Sequence, residues 1–358
     1  MKDKIIKLFL EMVQIDSPSG EEKAMGVYVE DWLKKNGFKY HKDALGSILT
    51  TNFENPQLLL CAHMDTVEPG RGVKPIIKDG FIQSEQDTIL GADNKATVSA
   101  IFCAVEKYKD IHGELPNIEL LFTVKEETGG GVEFFPLELV KSKQGVTFDY
   151  SKPFGRVTIT SPFIYNFEAK FVGKSAHASR PEEGKNSLLP AAKFILQAPQ
   201  GKLDEGKTTI NIGQVNSGTG INIVPEETVI KGEVRSTDKK LFDEYLTLIK
   251  DNAGKISKES GVEFQYKLDG YCAGYSHSED DLFIQKIISV YQAMDINTCC
   301  DSSTVISDAN ILNGAGIKVV NLADGCENVH TTRERVSVDN LCKLEKIVLN
   351  VVEKFVGK

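Results

Sequence analysis

The chain has 358 residues, 41% of them hydrophobic and 26% charged, and its 51 acidic and 42 basic residues give a formal net charge of −9. This composition is typical of globular proteins and excludes a disordered chain, and the negative charge argues against nucleic acid as the main partner. No apolar run approaches the ~18 residues of a membrane-spanning helix, and we identify no signal peptide, so we expect no membrane partner. Seven cysteines without a Cys-x-x-Cys pair favour reduced thiols and a cytoplasmic protein.

The first third of the chain alternates between helix and strand patterns. Apolar residues recur near every 3.6 positions in 4–13 and 21–35, which predicts two helices. Continuous apolar runs at 57–61 and 118–124 predict strands buried on both faces, and 95–109 predicts a helix between them. We therefore expect an α/β fold with a mainly parallel sheet that is covered by helices on both faces.

The middle of the chain changes to a mixture of strands and helices around a glycine-rich stretch at 213–220. The predicted strands there are 165–172, 228–236 and 262–268, and the predicted helices are 187–197 and 238–253. The alternation then returns, with predicted helices at 282–294 and 338–355 and a strand at 318–322. We predict a discontinuous catalytic domain formed by 1–163 and 274–358, interrupted by a smaller α+β lid domain at 164–273.

Polar residues follow two of the predicted strands. His63 and Asp65 come after the strand at 57–61, and because alternate positions of an extended chain share a face, both side chains emerge together. Glu126 and Glu127 follow the strand at 118–124 and precede three glycines, which allow a backbone to approach a ligand closely. The alternative for the two glutamates is a solvated acidic turn.

Three further residues are candidates on the same grounds. Asp93 directly precedes the helix at 95–109, where an ordinary helix N-cap is the alternative. Asp149 follows a short apolar segment, and His330 comes shortly after the strand at 318–322; either is also compatible with a structural polar residue. None of the three is diagnostic when considered singly.

Together, His63, Asp93, Glu127, Asp149 and His330 form a set of nitrogen and oxygen ligands without a thiolate. Such a set suits Zn²⁺ first, with Mn²⁺ and Co²⁺ remaining open. If one carboxylate is shared, five residues divide into two sites of three ligands each and leave room for a bridging water. Two ions about 3.5–4 Å apart can deprotonate that water near neutral pH and polarise a carbonyl group.

The order and spacing of His-x-Asp, Gly-Ala-Asp-x-Lys, Glu-Glu, Asp and His resemble the dinuclear-zinc exopeptidase family that includes aminoacylase, glutamate carboxypeptidases and peptidase T. The segments Ser-Asp-Ala-Asn at 307–310 and Glu-Asn-Val-His-Thr-Thr-Arg-Glu at 327–334 are most similar to its peptidase T-like tripeptidase branch. The resemblance implies that His63 and Asp149 hold one zinc ion, that Glu127 and His330 hold the other, and that Asp93 bridges both.

The resemblance also implies roles for residues that do not bind metal. Glu126 would be the general base that takes a proton from the water between the two ions and delivers it to the leaving amine. Asp65 would orient His63, and the peptide bond between Asp93 and Asn94 would be cis.

The lid segment carries its own similarity to the family, in Gly-Lys-Ser-Ala-His-Ala at 173–178, in 220–225 and in 233–236. His177 would help to stabilise the oxyanion, from its own chain or across a homodimer formed through the lid domain. Asn222 and Arg235 would contact the substrate. Arg235 would bind its carboxylate, because a planar guanidinium suits that group. A surface arginine on a strand is the alternative for Arg235.

We therefore predict a metal-dependent aminopeptidase that cleaves the N-terminal residue from short peptides such as tripeptides. A carboxypeptidase or a deacylase of N-acylated amino acids with the same metal centre is the alternative within the family. A catalytically silent binding protein on the same fold is the alternative from another class.

Overall fold

The structure is a computed structural model that describes residues 2–357. The chain divides into two compact units: the first runs up to Ile159 and resumes at His277, and the second is Thr160–Ser276. The bounds of the lid domain expected from the sequence, 164 and 273, both fall inside the second unit, whereas the first and last residues of the predicted domains, 1 and 358, lie outside the described residues.

The helices and strands that begin before the second unit are α1 (Lys2–Val13), α2 (Lys23–Asn36), β1 (Tyr40–Lys42), β2 (Ile48–Thr50), β3 (Leu59–His63), β4 (Pro75–Lys78), β5 (Phe81–Ser84), α3 (Ala92–His112), β6 (Glu119–Thr123), β7 (Gln144–Tyr150) and β8 (Arg156–Ser161). The next segment of chain contributes β9 (Phe163–Val172), α4 (Leu188–Gln197), β10 (Gly201–Leu203), β11 (Thr208–Ser217), β12 (Glu227–Ser236), α5 (Lys239–Ser260), β13 (Glu263–Cys272) and β14 (Tyr275–Ser276). The last segment contributes α6 (Leu282–Gln292), β15 (Cys299–Ser302), α7 (Asp308–Gly314), β16 (Lys318–Ala323), β17 (Cys326–Glu327), β18 (Arg335–Ser337) and α8 (Val338–Val356).

The main sheet of the first unit has a parallel centre. Its strands follow the order β1-β2-β6-β3-β7-β16-β8, and the neighbours β6, β3, β7 and β16 all pair in parallel. Antiparallel strands β2 and β8 flank this centre. Because parallel strands end at the same edge of a sheet, the chain segments that leave β3, β6, β7 and β16 meet along one edge.

Helices cover both faces of this sheet, as the continuous apolar runs predict. Leu60 and Ala62 of β3 belong to the buried cluster that also contains α1, α2, α3, α6 and α8. Cys61 lies between them and points the other way, where its Sγ lies 3.7 Å from Oδ2 of Asp308 in α7. Since successive strand residues face opposite sides, α7 covers the face opposite α3. The expected α/β fold with a mainly parallel sheet is confirmed.

A second, smaller sheet of the first unit is absent from the sequence prediction. Its antiparallel strands follow the order β17-β18-β5-β4, and each has only two to four residues. β17 and β18 form a hairpin whose turn contains His330, and β18 pairs with β5 by placing Arg335 opposite Gln83. The chain that leaves β5 continues to Asp93. Strands this short carry too few residues to show a hydrophobic period.

The second unit is a five-stranded antiparallel sheet with helices packed on it. The strand order is β10-β11-β12-β9-β13, and α4 and α5 pack against one face. Phe167, Ala169 and Phe171 alternate along β9 into the buried cluster of this unit. The first part of the glycine-rich stretch at 213–220 belongs to β11, which continues to Ser217. The pairing of β11 with β12 shifts its register between Ile212 and Gln214.

No helix within residues 2–357 is long and apolar enough to cross a lipid bilayer. The cysteines form no disulfide within the part of the chain that the structure describes.

Candidate metal centre

The five candidate ligands come from segments that meet at the carboxyl edge of the main sheet. His63 is the last residue of β3, and Asp149 lies one residue before the end of β7. Glu127 lies in the turn that follows β6, Asp93 lies at the start of α3, and His330 lies in the turn between β17 and β18. The parallel order of the strands explains why residues far apart in sequence lie together here.

His63, Asp93 and Asp149 form a first cluster, in which one potential ligand atom from each residue lies within 4.8 Å of the other two. Nε2 of His63 lies 3.2 Å from Oδ1 of Asp93 and 3.7 Å from Oδ1 of Asp149. His63 is buried, and Asp93 is 9% exposed, so water reaches this cluster only in part.

Asp93, Glu127 and His330 form a second cluster within the same 4.8 Å limit. Nε2 of His330 lies 2.9 Å from Oε1 of Glu127 and 3.4 Å from Oδ2 of Asp93. Asp93 therefore directs one carboxylate oxygen to each cluster, Oδ1 toward His63 and Oδ2 toward His330. This is the arrangement that a carboxylate shared between two ions requires.

Asp65 connects the ends of β3 and β6. Its main-chain carbonyl lies 3.0 Å from Nδ1 of His63 and can only accept a hydrogen bond, so Nδ1 carries the hydrogen and Nε2 is left to face Asp93 and Asp149. The carboxylate of Asp65 accepts hydrogen bonds from the backbone N–H groups of Glu126 and Glu127, at 3.0 and 3.2 Å. Asp65 thus contacts the segment that supplies the predicted general base as well as the histidine.

Two further side chains hold the segment that contains Glu126 and Glu127. The Ser19 hydroxyl donates to Oδ2 of Asp65 at 2.6 Å. Glu22, which is buried, accepts hydrogen bonds from the N–H groups of Gly20 at 2.7 Å and Lys125 at 3.0 Å. Neither Ser19 nor Glu22 was predicted from the sequence as part of the site, because a side chain that holds a loop has no sequence signature.

Asn94 and Asn321 hold Asp149, and neither was predicted from the sequence as part of the site. The amide of Asn94 donates to Oδ1 of Asp149 at 3.2 Å and to the carbonyl of Phe148 at 2.7 Å. Asn321 exchanges two hydrogen bonds with the backbone of Asp149, at 2.8 and 2.9 Å. An asparagine that orients another side chain has no sequence signature, so only the fold reveals these contacts. The peptide bond between Asp93 and Asn94 is cis, as the resemblance implied.

The crowded carboxylates and imidazoles shift each other's pKa values. Burial, followed by the charge of Asp93, raises the pKa of Asp149 to about 7. Burial opposes ionisation of Asp93, but hydrogen bonds from His330 and His63 hold its pKa well below the ordinary range. Hydrogen bonds to Asp93 and Glu127 raise the pKa of His330 to about 10. Although burial works against it, hydrogen bonds to Asp149, Asp65 and Asp93 raise the pKa of His63. In the protein without metal, the imidazolium groups therefore compensate the carboxylate charge.

Glu126 directly precedes the ligand Glu127, and its side chain is half-buried. Burial, followed by the negative charge of Asp149, raises its pKa above that of an ordinary glutamate. A carboxyl group whose pKa is raised holds a proton more readily than an ordinary glutamate, which suits a group that accepts a proton and then delivers it.

The donor set fits divalent cations. Two imidazole nitrogens and three carboxylates converge without a thiolate, which is the ligand chemistry of zinc and also of manganese and cobalt. A cation at each cluster would neutralise the carboxylates and would replace the protons on both imidazoles.

The three predicted substrate residues belong to the second unit. His177 and Asn222 are exposed and lie in neighbouring segments, because the N–H of Ala178 donates to the carbonyl of Asn222 at 2.9 Å. Nδ1 of His177 lies 2.8 Å from the Ser179 hydroxyl. Arg235 is half-buried on β12 and forms a bidentate ion pair with Glu233, at 2.6 and 2.8 Å. Their roles toward a substrate stay predictions.

Comparison with known proteins agrees with the geometry. A family model described as the peptidase dimerisation domain matches residues 164–261. The chain is 30% identical to the aminopeptidase PepT of Bacillus cereus and covers 99% of that structure with 100% of its own length, at a TM-score of 0.92. A tripeptidase of Staphylococcus aureus is also 30% identical, with 100% of this chain and 99% of that one covered and a TM-score of 0.90. A peptidase T of Geobacillus is 26% identical over the full length of both chains. The chain therefore belongs to the M20 family of metallopeptidases and is a peptidase of its peptidase T-like branch.

Proposed function

We propose that this peptidase is a two-metal aminopeptidase that removes the N-terminal residue from short peptides, tripeptides in particular. The observation that carries the proposal is Asp93, whose two carboxylate oxygens face two separate clusters of ligands. The relatives that are named an aminopeptidase and a tripeptidase support the choice of substrate.

In this proposal, His63, Asp93 and Asp149 hold one ion, and Asp93, Glu127 and His330 hold the other. Two bound cations would supply a Lewis acid for the scissile carbonyl and a water that is acidic near neutral pH. Zinc suits the donor set best, and manganese and cobalt are the other metals we propose to test.

The chain's own groups perform the proton transfers. Glu126 removes a proton from the attacking water and delivers it to the departing amine, which its raised pKa favours. Asp65 keeps Glu126 in place through the backbone N–H of that residue and fixes the tautomer of His63.

We call the second unit, Thr160–Ser276, the lid unit. We propose that its His177 stabilises the developing oxyanion and that its Asn222 and Arg235 bind the peptide. Arg235 already pairs with Glu233, so a substrate carboxylate would have to share or replace that partner. We also propose that the enzyme forms a homodimer through the lid unit, which contains the segment matched by the dimerisation domain. Seven cysteines without a Cys-x-x-Cys pair favour a reducing compartment, and so the cytoplasm.

The direct test offers the zinc-loaded enzyme a set of tripeptides with free amino groups beside the same peptides with acetylated amino groups. Mass spectrometry identifies which bond is cleaved. We expect release of the N-terminal residue from the free peptides only, and loss of this activity when a chelator is added. Cleavage confined to the acetylated peptides, or release of the C-terminal residue, would instead assign a deacylase or a carboxypeptidase. No hydrolysis of either set would favour a binding protein.

A further inference from the structure

Glu334 is a buried carboxylate that lies outside both ligand clusters. Its side chain is 2% exposed, and it is the last residue before β18, four positions after His330 in the same hairpin turn. A buried carboxylate is expensive unless its oxygens are hydrogen-bonded, so its partners indicate what it does.

The partners of Glu334 are backbone amides of the segment that supplies Asp93. Oε2 accepts hydrogen bonds from the N–H groups of Leu90 at 2.8 Å and Gly91 at 2.7 Å, and Oε1 accepts one from the N–H of Asp93 at 3.0 Å. Gly91 has a φ of +76°, so the chain turns at this glycine, between the N–H groups that bind Oε2 and the N–H of Asp93 that binds Oε1.

The small sheet also brings together the segment that leads to Asp93 and the hairpin that contains His330. β18 pairs with β5 through Arg335 and Gln83, so the chain that leaves β5 toward Asp93 starts beside the hairpin that contains His330. Glu334 adds a second connection at the far end of this segment, at Asp93 itself. The segment from β5 to Asp93 is therefore held to the hairpin at both ends.

We propose that Glu334 is a positioning residue that sets the distance between the shared carboxylate of Asp93 and the imidazole of His330. Oδ2 of Asp93 and Nε2 of His330 lie 3.4 Å apart and must both reach one ion. Ligand positions of a functional site must be held within roughly 0.5 Å, and the three hydrogen bonds of Glu334 hold the backbone of one ligand to the turn that contains the other. This inference rests on the proposed function, because it concerns ligands of the same two ions.

The test uses Glu334→Gln, which keeps the size of the side chain but turns one acceptor oxygen into an NH₂ group that cannot accept from an N–H. Metal-free enzyme is titrated with Zn²⁺ against a competing chelator, and the binding step that His330→Ala abolishes identifies the second site. Because outer partners of metal ligands contribute about 10–100-fold in affinity, we expect Glu334→Gln to weaken that step by about 10–100-fold. The step that belongs to His63 and Asp149 should change less, since Asp65, Asn94 and Asn321 hold those two ligands.

Glu119 provides a matched control in the same unit. It is also 2% exposed, and its carboxylate accepts backbone N–H groups of Lys141 and Ser142, but it lies at the amino end of β6, at the edge of the sheet opposite the ligands. Glu119→Gln should lower the melting temperature and leave both zinc affinities unchanged. Circular dichroism verifies that each variant is folded; if Glu334→Gln does not fold, Glu334→Asp and Glu119→Asp give the same comparison.

The possible results separate this inference from the proposed function. If the native chain binds two ions and Glu334→Gln binds them equally well, or if Glu119→Gln loses as much affinity, the role of Glu334 is wrong and the two-metal proposal stands. If the native chain binds fewer than two ions, the two-metal proposal is wrong, and the inference about Glu334 is overturned with it.

Discussion

Single carboxylates of this site serve several partners at once. Asp93 faces two histidines with its two oxygens, and Asp65 contacts His63 and accepts the N–H groups of Glu126 and Glu127. Such sharing fixes the relative positions of groups that come from different strands. It also makes the consequences of substitution differ sharply between neighbouring acids, because each acid has a different set of partners.

Glu126 and Glu127 are adjacent but should respond differently to substitution. We expect Glu126→Ala to lower kcat by about 10²–10⁴-fold, because a positioned general base contributes that much, while the zinc content stays that of the native enzyme. Steady-state kinetics and metal analysis of the same sample check both parts. Glu133→Ala, which replaces an exposed glutamate of the short 3₁₀-helix Val132–Phe134 after this turn, is the control and should retain native activity. A Glu126→Ala enzyme with nearly native kcat would remove this residue from the base role.

Zinc uptake should release protons. The pKa of His330 is raised to about 10 and that of His63 is also raised, so both imidazoles are protonated at pH 7 in the metal-free protein, whereas a metal ligand must be neutral. We expect at least about two protons to be released, one from each imidazole and a further fraction from Asp149, whose pKa is raised to about 7, and we expect the zinc affinity to rise with pH. Calorimetric titration in buffers of different ionisation enthalpy measures the number. Zinc binding without proton release would contradict the assigned ligands.

At the scale of elements, the sequence predicts long and strongly patterned segments and misses short ones. The strands β3 and β6, which the apolar runs predict, are buried at every position, and the helix predicted at 338–355 is observed as α8. The strands β4, β5, β17 and β18 were not predicted, because each has only two to four residues and so shows no hydrophobic period. The helix expected to begin at residue 95 begins at Ala92, where Asp93 still has non-helical backbone angles.

The residues of the metal centre also divide into those that a sequence pattern indicates and those that it does not. Strand ends carry a pattern, so His63, Glu127 and Asp149 are visible as polar residues that follow apolar runs. Ser19, Asn94, Asn321 and Glu334 act through hydrogen bonds to the backbone or to other side chains, and no spacing in the sequence indicates such a partner. These supporting contacts therefore became identifiable only from the structure.

Two glycines of the lid unit should respond oppositely to substitution by alanine. Gly254 lies inside α5, and a Cβ there would meet its nearest neighbour, Cδ1 of Phe264, at 3.9 Å. Gly254→Ala should raise the free energy of unfolding by about 0.5–1 kcal/mol, because alanine loses less entropy in a helix. A Cβ at Gly232 would lie 2.4 Å from Cζ of Phe167 and 2.5 Å from the carbonyl of Asn211. Gly232→Ala should therefore lower the free energy of unfolding by about 1–3 kcal/mol.

Urea unfolding of both glycine variants beside the native chain measures these changes as shifts of the midpoint at constant m value. Equal shifts in the same direction would show that the packing around α5 and β12 differs from the one described here.

At the scale of the whole molecule, the two units have separate cores, and only the lid unit contains the segment matched by a dimerisation domain. The exposed face of α4 contains Leu189 and Leu196, which are 68% and 87% exposed and lie seven residues apart on one side of the helix. Leucines this exposed favour a surface that is covered in an assembly.

We expect the native enzyme to sediment as a dimer and the double variant Leu189→Lys, Leu196→Lys to sediment as a monomer with an unchanged melting profile of the first unit. Leu248→Lys, which replaces a half-exposed leucine of α5, is the control for added charge. Sedimentation velocity at several protein concentrations distinguishes the two states. A native enzyme that stays monomeric at high concentration would contradict assembly through the lid.

The most direct test of the two-metal account is the anomalous scattering of zinc in crystals of the enzyme grown with the metal. We predict two peaks, one within bonding distance of His63 and Asp149 and the other within bonding distance of Glu127 and His330, with an oxygen of Asp93 at each. A single peak, peaks bound by other residues, or no peak among these five side chains would contradict it.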